Sequence, residues 1–130
     1  MKLIIITTTF LLLSYQVVIA CTGGTSNGTI NPTSTFSTAA ISTGRYFVVN
    51  VSCGYTYTFT FCNNGGSAGF DTQITLNQTN NTTQIAYNDD NCGLQSEVVW
   101  TADFTGTIHV LISSYNCVHD GSNSGTLAFA

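Results

Sequence analysis

The sequence predicts an all-β protein, a jelly-roll-like antiparallel β-sandwich of about seven to eight strands. Three observations lead there. After position 20 the apolar residues recur with period two, and no stretch shows the 3.6-residue period of a helix. The runs are filled by Thr, Val, Ile, Tyr and Phe, which fit a pleated, half-buried surface. Gly and Asn interrupt them about every eight to twelve residues, the spacing of turns in a sandwich or barrel.

The first twenty residues stand apart. Met1-Lys2 is a short positive start, Leu3–Leu13 is apolar or Thr, and Val18-Ile19-Ala20 places small or apolar residues where a signal peptidase reads. Residues 1–20 therefore read as a secretory signal peptide and are set aside from the fold. The mature chain of 110 residues begins at Cys21 and is long enough for one domain with a modest core. Val18-Ile19-Ala20-Cys21 also matches a permissive lipobox. Cys21 is thus either a lipidation site, which would place the protein on a membrane surface, or the first residue of a secreted protein.

Each later element follows from its own pattern. Residues 21–35 are polar and Gly-rich and read as an N-terminal arm, with the domain proper at 36–130. Residues 36–41 offer an edge strand. In 46–51, Phe47, Val49 and Val51 share a face. In 55–61, Tyr55, Tyr57, Phe59 and Phe61 alternate with Thr56, Thr58 and Thr60. Ile74 and Leu76 face inward in 71–78. Ile85 goes with Tyr87, Val98 with Trp100, and Leu127 with Phe129. Ile108, Val110 and Ile112 form one face of 107–113, leaving His109 on the opposite, solvated one.

Charge removes some functions. Arg45 is the one basic residue after position 20, against Asp71, Asp89, Asp90, Glu97, Asp103 and Asp120, a balance of −5. The counterion-release term that drives nucleic-acid binding is missing, and so is attraction to anionic lipid.

The strongest local feature is the acidic loop Asn88-Asp89-Asp90-Asn91. Asp71 can approach it, and Glu97 opens the following strand. Oxygen ligands of this kind suit Ca²⁺, so Asp71, Asp89, Asp90 and Glu97 are the candidate metal ligands; turn chemistry of Asp and Asn is the competing reading. No other cofactor is indicated. Paired carboxylates and a Ser–His–Asp set drawn from His109 and His119 raise catalysis on paper. Yet Gly121-Ser-Asn-Ser-Gly125 is no nucleophile elbow, and a chain this small offers little cleft, so the expectation is a protein that is not an enzyme. Tyr46, Tyr87 and Tyr115 are the candidates for stacking on a sugar. Asn-x-Ser/Thr sequons stand at Asn27, Asn50, Asn77, Asn80 and Asn81, with Asn77–Asn81 expected in a turn.

Taken in order, Gly54-Tyr-Thr-Tyr-Thr-Phe59, Cys62, Phe70-Asp-Thr72, Tyr87-Asn-Asp-Asp-Asn-Cys-Gly93, Gln95-Ser96, Trp100-Thr101 and Gly106-Thr107 form a pattern that resembles the bacterial pre-peptidase C-terminal domain, in the Cys-containing form of secreted Bacteroidetes proteins. The resemblance covers residues 44–130. It implies a jelly-roll-like sandwich with an accessory, non-catalytic role. Such domains flank peptidases, and some relatives bind collagen or polysaccharide. No catalytic or sorting domain is read beside this one.

Five cysteines follow the signal peptide, in spacings that suit disulfides rather than zinc. Cys62 ends the aromatic strand and Cys92 follows the acidic loop, so Cys62–Cys92 is the first pairing expected. Cys53–Cys117 is the second, leaving Cys21 for lipid or a bridge to another chain; Cys21–Cys53 is its rival. The functional expectation is a secreted or surface module for extracellular binding or adhesion, with a protein or polysaccharide as partner. The alternative is a fibre or matrix subunit that binds copies of itself through the arm and an unpaired Cys.

Overall fold

The structure, a computed structural model, describes residues 21–130; the signal peptide read at 1–20 lies outside them. Ten strands occur among the described residues: β1 (Thr25–Ile30), β2 (Ser37–Ser42), β3 (Arg45–Val51), β4 (Thr56–Thr60), β5 (Ser67–Ala68), β6 (Thr72–Gln78), β7 (Gln84–Asn88), β8 (Glu97–Thr101), β9 (Gly106–Ser114) and β10 (Ser124–Phe129). They form two sheets of a sandwich. One runs β1-β3-β9-β6-β7. The other runs β2-β10-β4-β8, with β5 also paired to β10.

The inner faces carry the side chains that the alternation assigns there. Phe47, Val49, Val51, Ile74, Leu76, Ile108, Val110 and Ile112 come from the first sheet, and Ile41, Phe59, Phe61, Val98, Leu127 and Phe129 from the second. All are buried, and together they form one core cluster. Removing these apolar surfaces from water is the main favourable term in the fold. Tyr57, Trp100 and Phe104 close the core at the β8 edge, with ring centroids 6.3 Å apart for Tyr57–Trp100 and 5.9 Å for Trp100–Phe104.

Five expectations need correction. The polar arm is no free arm, because Thr25–Ile30 pairs in parallel with β3 as the edge of the first sheet. This strand accommodates a register shift at Gly28, whose φ of +103° favours glycine. Tyr55 does not enter the core. It follows Gly54, whose φ is +86°, and the two together oppose Ala102, with Gly54 N donating to the Ala102 carbonyl and Ala102 N to the Tyr55 carbonyl; this bulge interrupts the pleat, and the Tyr55 side chain is 67% exposed. Tyr87 pairs with Thr75, and that register puts it on the outer face. Asn77 belongs to β6 rather than to a turn and is fully buried. His109 is on the outer face as expected, but that face is covered: the ring is buried and stacks on Tyr46 with centroids 4.1 Å apart.

The disulfides explain the covering. Cys62 bridges Cys92, and Cys21 bridges Cys117. Cys53 is the free, exposed thiol, so neither Cys53–Cys117 nor Cys21–Cys53 forms. In this pairing the Cys21 sulfur, the atom that a lipid thioether would need, is joined to Cys117. Cys53 lies in the β3–β4 turn, whereas Cys21 and Cys117 meet over β6 on the outer face of the first sheet.

The two bridges close loops of very different length, with sequence separations of 96 and 30. In the chain-entropy model they are worth about 4.7 and about 3.7 kcal/mol. Replacing Cys21 and Cys117 by Ser is expected to lower Tm more than replacing Cys62 and Cys92, while Cys53→Ser leaves Tm unchanged. Differential scanning calorimetry of the three variants checks this ranking.

Candidate functional site

Two places in the fold collect chemistry, at opposite ends of β4. The first is acidic. Asp71 immediately precedes β6, and Asp89 and Asp90 immediately follow β7. These strands are antiparallel, with Ile74 opposite Asn88, so the pairing itself brings the three carboxylates together. One oxygen of each lies within 4.8 Å of the others. The loop beneath them is tightly tied. Ser96 N donates to Thr72 Oγ1 at 2.8 Å, Glu97 N to Asn88 Oδ1 at 3.0 Å and Thr72 N to the Leu94 carbonyl at 2.9 Å. The Ser96 hydroxyl lies against the carbonyls of Thr72 and Asp89, Gln95 Nε2 donates to the Phe70 carbonyl, and Cys62–Cys92 staples the loop to the end of β4.

Glu97 does not join the cluster. Its two carboxylate oxygens accept from Asn63 and Asn91, each at 3.4 Å, which turns it toward the disulfide side. The remaining three acids sit in an unfavourable electrostatic setting. Asp89 Oδ1 and Asp71 Oδ1 are shielded from water with no hydrogen-bond partner. Burial raises the Asp71 carboxyl above its ordinary 3.8, and the charges of Asp90 and Asp89 raise it further. Tyr87, whose hydroxyl bonds Asp89, is pushed up to about 12, by burial first and then by the same charge. Arg45 offers no relief, as its guanidinium lies 3.4 Å from the Ser26 carbonyl. The donor set fits a hard cation. Oxygen ligands at about 2.3–2.6 Å from one ion can stand about 4.6–5.2 Å apart across it, which the 4.8 Å limit of this cluster satisfies.

The second place is a groove of about 510 Å³, lined by Pro32, Thr33, Ser34, Asn50, Ser52, Tyr55, Thr56, Tyr57 and Ala130. Its floor is fixed: Ser52 N donates to the Tyr57 hydroxyl at 2.9 Å, and Thr107 Oγ1 donates to Asn50 Oδ1 at 3.0 Å. Tyr55 stands at the rim with an open ring face. Among the lining side chains, none is ionised at neutral pH. The pattern of Tyr55 and Tyr57 two apart was visible in the sequence. What hid Tyr55 was the strictness of the alternation, which suggested that all four aromatics of 55–61 turn inward.

The other sequence candidates disperse. Tyr46 is occupied by His109, Tyr87 by Asp89, and only Tyr115 is freely exposed, on a short 3-10 turn away from the groove. Asn27, Asn50 and Asn80 are exposed, whereas Asn81 is half-buried and holds the His109 ring. Asn77 cannot take a glycan in the folded chain, because it is fully buried and its Nδ2 donates to the Cys21 carbonyl at 3.0 Å. A Ser–His contact does form, with Ser113 Oγ 2.7 Å from His119 Nε2. Ser113 is fully buried, and burial lowers the His119 pKa. Asp120 is turned away, accepting from Thr43 Oγ1 and Ser122 N. That set is packing, since no substrate atom could reach the hydroxyl.

Comparison with known proteins fits this geometry. A family model described as "Domain of unknown function (DUF8695)" matches residues 36–130. No curated protein matches the chain. Among solved structures, it is similar to the pre-peptidase C-terminal domain of a collagenase from Bacillus anthracis, at 15% identity and a TM-score of 0.52 over 82% of this chain and 94% of that one. It is also similar to PliG of Aeromonas hydrophila, a periplasmic inhibitor of g-type lysozyme, at 11% identity and a TM-score of 0.51 over 83% of this chain and 98% of that one. At these identities the shared property is the fold.

The sign of the Asp71 effect is testable. A carboxyl raised above its unfolded value contributes stability that is complete below about pH 4 and is lost as pH rises through the raised value. With a chelator present, Asp71→Asn is therefore expected to raise Tm at neutral pH and to flatten the Tm profile between acid and neutral pH. Thermal melts of both proteins across that window check it.

Proposed function

The chain belongs to the family described as domain of unknown function DUF8695, and from that premise we propose that it is a secreted, non-catalytic β-sandwich module that binds a hydroxyl-rich saccharide in the Tyr55 groove. The groove carries this reading. It joins an open aromatic face to neutral hydroxyl and amide groups, which suit the apolar ring face and polar rim of a sugar. Two disulfides support an oxidising, extracytoplasmic compartment. Both solved neighbours are small β-sandwich domains, one from a collagenase and one an inhibitor of a lysozyme, and this supports a module that binds rather than cleaves. The kinship with the Cys-containing pre-peptidase C-terminal form rests on the motif order in the sequence.

Within this reading Asp71, Asp89 and Asp90 hold Ca²⁺ and stiffen the end of the sandwich opposite the groove. The ion would supply the partner that Asp71 Oδ1 and Asp89 Oδ1 lack. The fibre alternative is the weaker one. Its arm is already paired to β3 and its Cys21 to Cys117, which leaves only Cys53 to join chains.

Two measurements test the reading. On a glycan array followed by affinity electrophoresis, Tyr55→Ala is expected to weaken saccharide binding about tenfold, the upper end for one aromatic contact, while Tyr115→Ala leaves it unchanged. A blank array, or equal loss in both variants, rejects the saccharide, and selective retention on a protein partner would replace it. In calcium titrations Ca²⁺ is expected to raise Tm, and the Asp89→Asn/Asp90→Asn double variant to lose the response; an unresponsive parent protein rejects the cation.

A further inference from the structure

The outer face of β6 is polar yet fully covered. Gln73, Thr75 and Asn77 point to that side, opposite the core residues Ile74 and Leu76, and all three are buried. In a soluble sandwich such a row would face water. Here Cys21 lies on it. The Cys21 carbonyl accepts from Asn77 Nδ2 at 3.0 Å, and its sulfur lies 3.4 Å from Gln73 Oε1, which in turn accepts from Cys117 N at 2.9 Å. Contacts to both Asn77 and Gln73 place Cys21 over the residue between them, Thr75. Cys21 itself is fully buried.

The hydrogen bonds around Cys21 leave an unequal remainder. The buried side-chain polar atoms without a partner, among the described residues, are Asp71 Oδ1, Thr75 Oγ1, Asn77 Oδ1, Gln84 Oε1 and Asp89 Oδ1. Every one is an oxygen able to accept. All five fall on β6, β7 or their ends, on one face by register: Asn77 is opposite Gln84, and Thr75 opposite Tyr87, beside Asp89. Asn77 cannot be reoriented to remove its orphan. The Cys21 carbonyl needs the amide's donor, which leaves Oδ1 to accept. A buried acceptor without a partner costs free energy, and several together call for a group that only donates.

We infer that this group is the α-amino group of Cys21, freed when the Ala20–Cys21 peptide bond is hydrolysed, and that Asn77 Oδ1 and Thr75 Oγ1 form its internal binding site. The inference rests on the reading of residues 1–20 as a signal peptide. Hydrolysis converts one amide N–H into an amine with two donors, or an ammonium with three, beside a row that offers only oxygens. Processing thus completes the site. The remaining acceptors, Gln84 Oε1 and the acidic end of the sheet, add negative potential along the same face.

The composition supplies a clean probe. Lys2 is the sole lysine, so the mature chain carries one amine, its N-terminus. Two proteins are compared, one released by a protease so that it begins at Cys21 and one that keeps Gly-Ser ahead of Cys21. The Cys21-start protein is expected to melt about 5 °C or more above the extended one. Thr75→Val is expected to lower Tm in the Cys21-start protein only, because in the extended protein Oγ1 has no amine to lose. An N-hydroxysuccinimide acetate probe is expected to modify the folded Cys21-start protein at least tenfold more slowly than the same protein in urea. Equal Tm values with an equal effect of Thr75→Val in both, or equal labelling rates folded and unfolded, overturn the amine site. Intact mass of the protein secreted from its full-length precursor addresses the signal-peptide reading separately. A start other than Cys21 overturns that reading, while the protease-released pair still decides the site.

Discussion

The Cys21–Cys117 bridge is the constraint on which the first sheet depends. A five-stranded sheet in a two-layer sandwich has one face on the core and one in water. This sheet has both faces covered at β6 and β9, because the bridge draws residues 21–24 across the outer one. Gly23 N donates to the Asn81 carbonyl and Thr25 N to the Gly44 carbonyl, so the segment is held on both sides of its crossing. Gly24 is where it passes closest: a Cβ there would stand 2.7 Å from Leu111 Cδ1, at a φ of +84° that already favours glycine. From that crossing follow the β1 strand laid beside β3 and, in Gln73, Thr75 and Asn77, a row of polar side chains with nowhere to hydrate.

The same constraint explains which parts of the fold were legible in the sequence. The core was, because alternation acts locally and each strand declares its inner face by its own residues. Ile108, Val110 and Ile112 needed no knowledge of what they pack on. The outer face was not, because its cover comes from far along the chain: Cys21 lies 56 residues before Asn77. Thr75, Asn77 and His109 are polar, and polar residues alternating with apolar ones read as a wet face. Only the pairing of Cys21 could have reversed that reading, and disulfide connectivity is not written in spacing. The pairing of β1 is hidden from the sequence for the same reason. Residues 25–30 carry no apolar alternation, and what makes them a strand is the neighbour they are tied against.

The acidic end was legible to a similar depth. That Asp71 approaches Asp89 and Asp90 follows from two adjacent antiparallel strands, a local rule of the sheet. That Glu97 departs depends on Asn63 and Asn91, amides whose direction is set by the loop after β4 and the Cys62–Cys92 staple. The groove was hidden by a third effect. Tyr55 obeys the sequence period of its strand but sits in the bulge that it and Gly54 form opposite Ala102, so the period carried no force there.

These features divide the molecule by the kind of polar group it buries. At the groove end the polar side chains are neutral hydroxyls and an amide, each able to donate and accept, and they can exchange water for a ligand at little cost. At the β6–β7 face the polar groups are almost all acceptors, and water serves them less well because it must surrender its own donors inside a covered site. A domain whose one basic side chain after position 20 is Arg45 has few internal means to satisfy so many oxygens. The remaining sources of positive charge are a bound ion and an N-terminal amine, and in the proposed site the covalent tether of Cys21 brings the amine there at no entropic cost of association. In the site we propose, the bridge that covers the sheet also delivers the group that the covered surface needs, and both roles fall on one residue, Cys21.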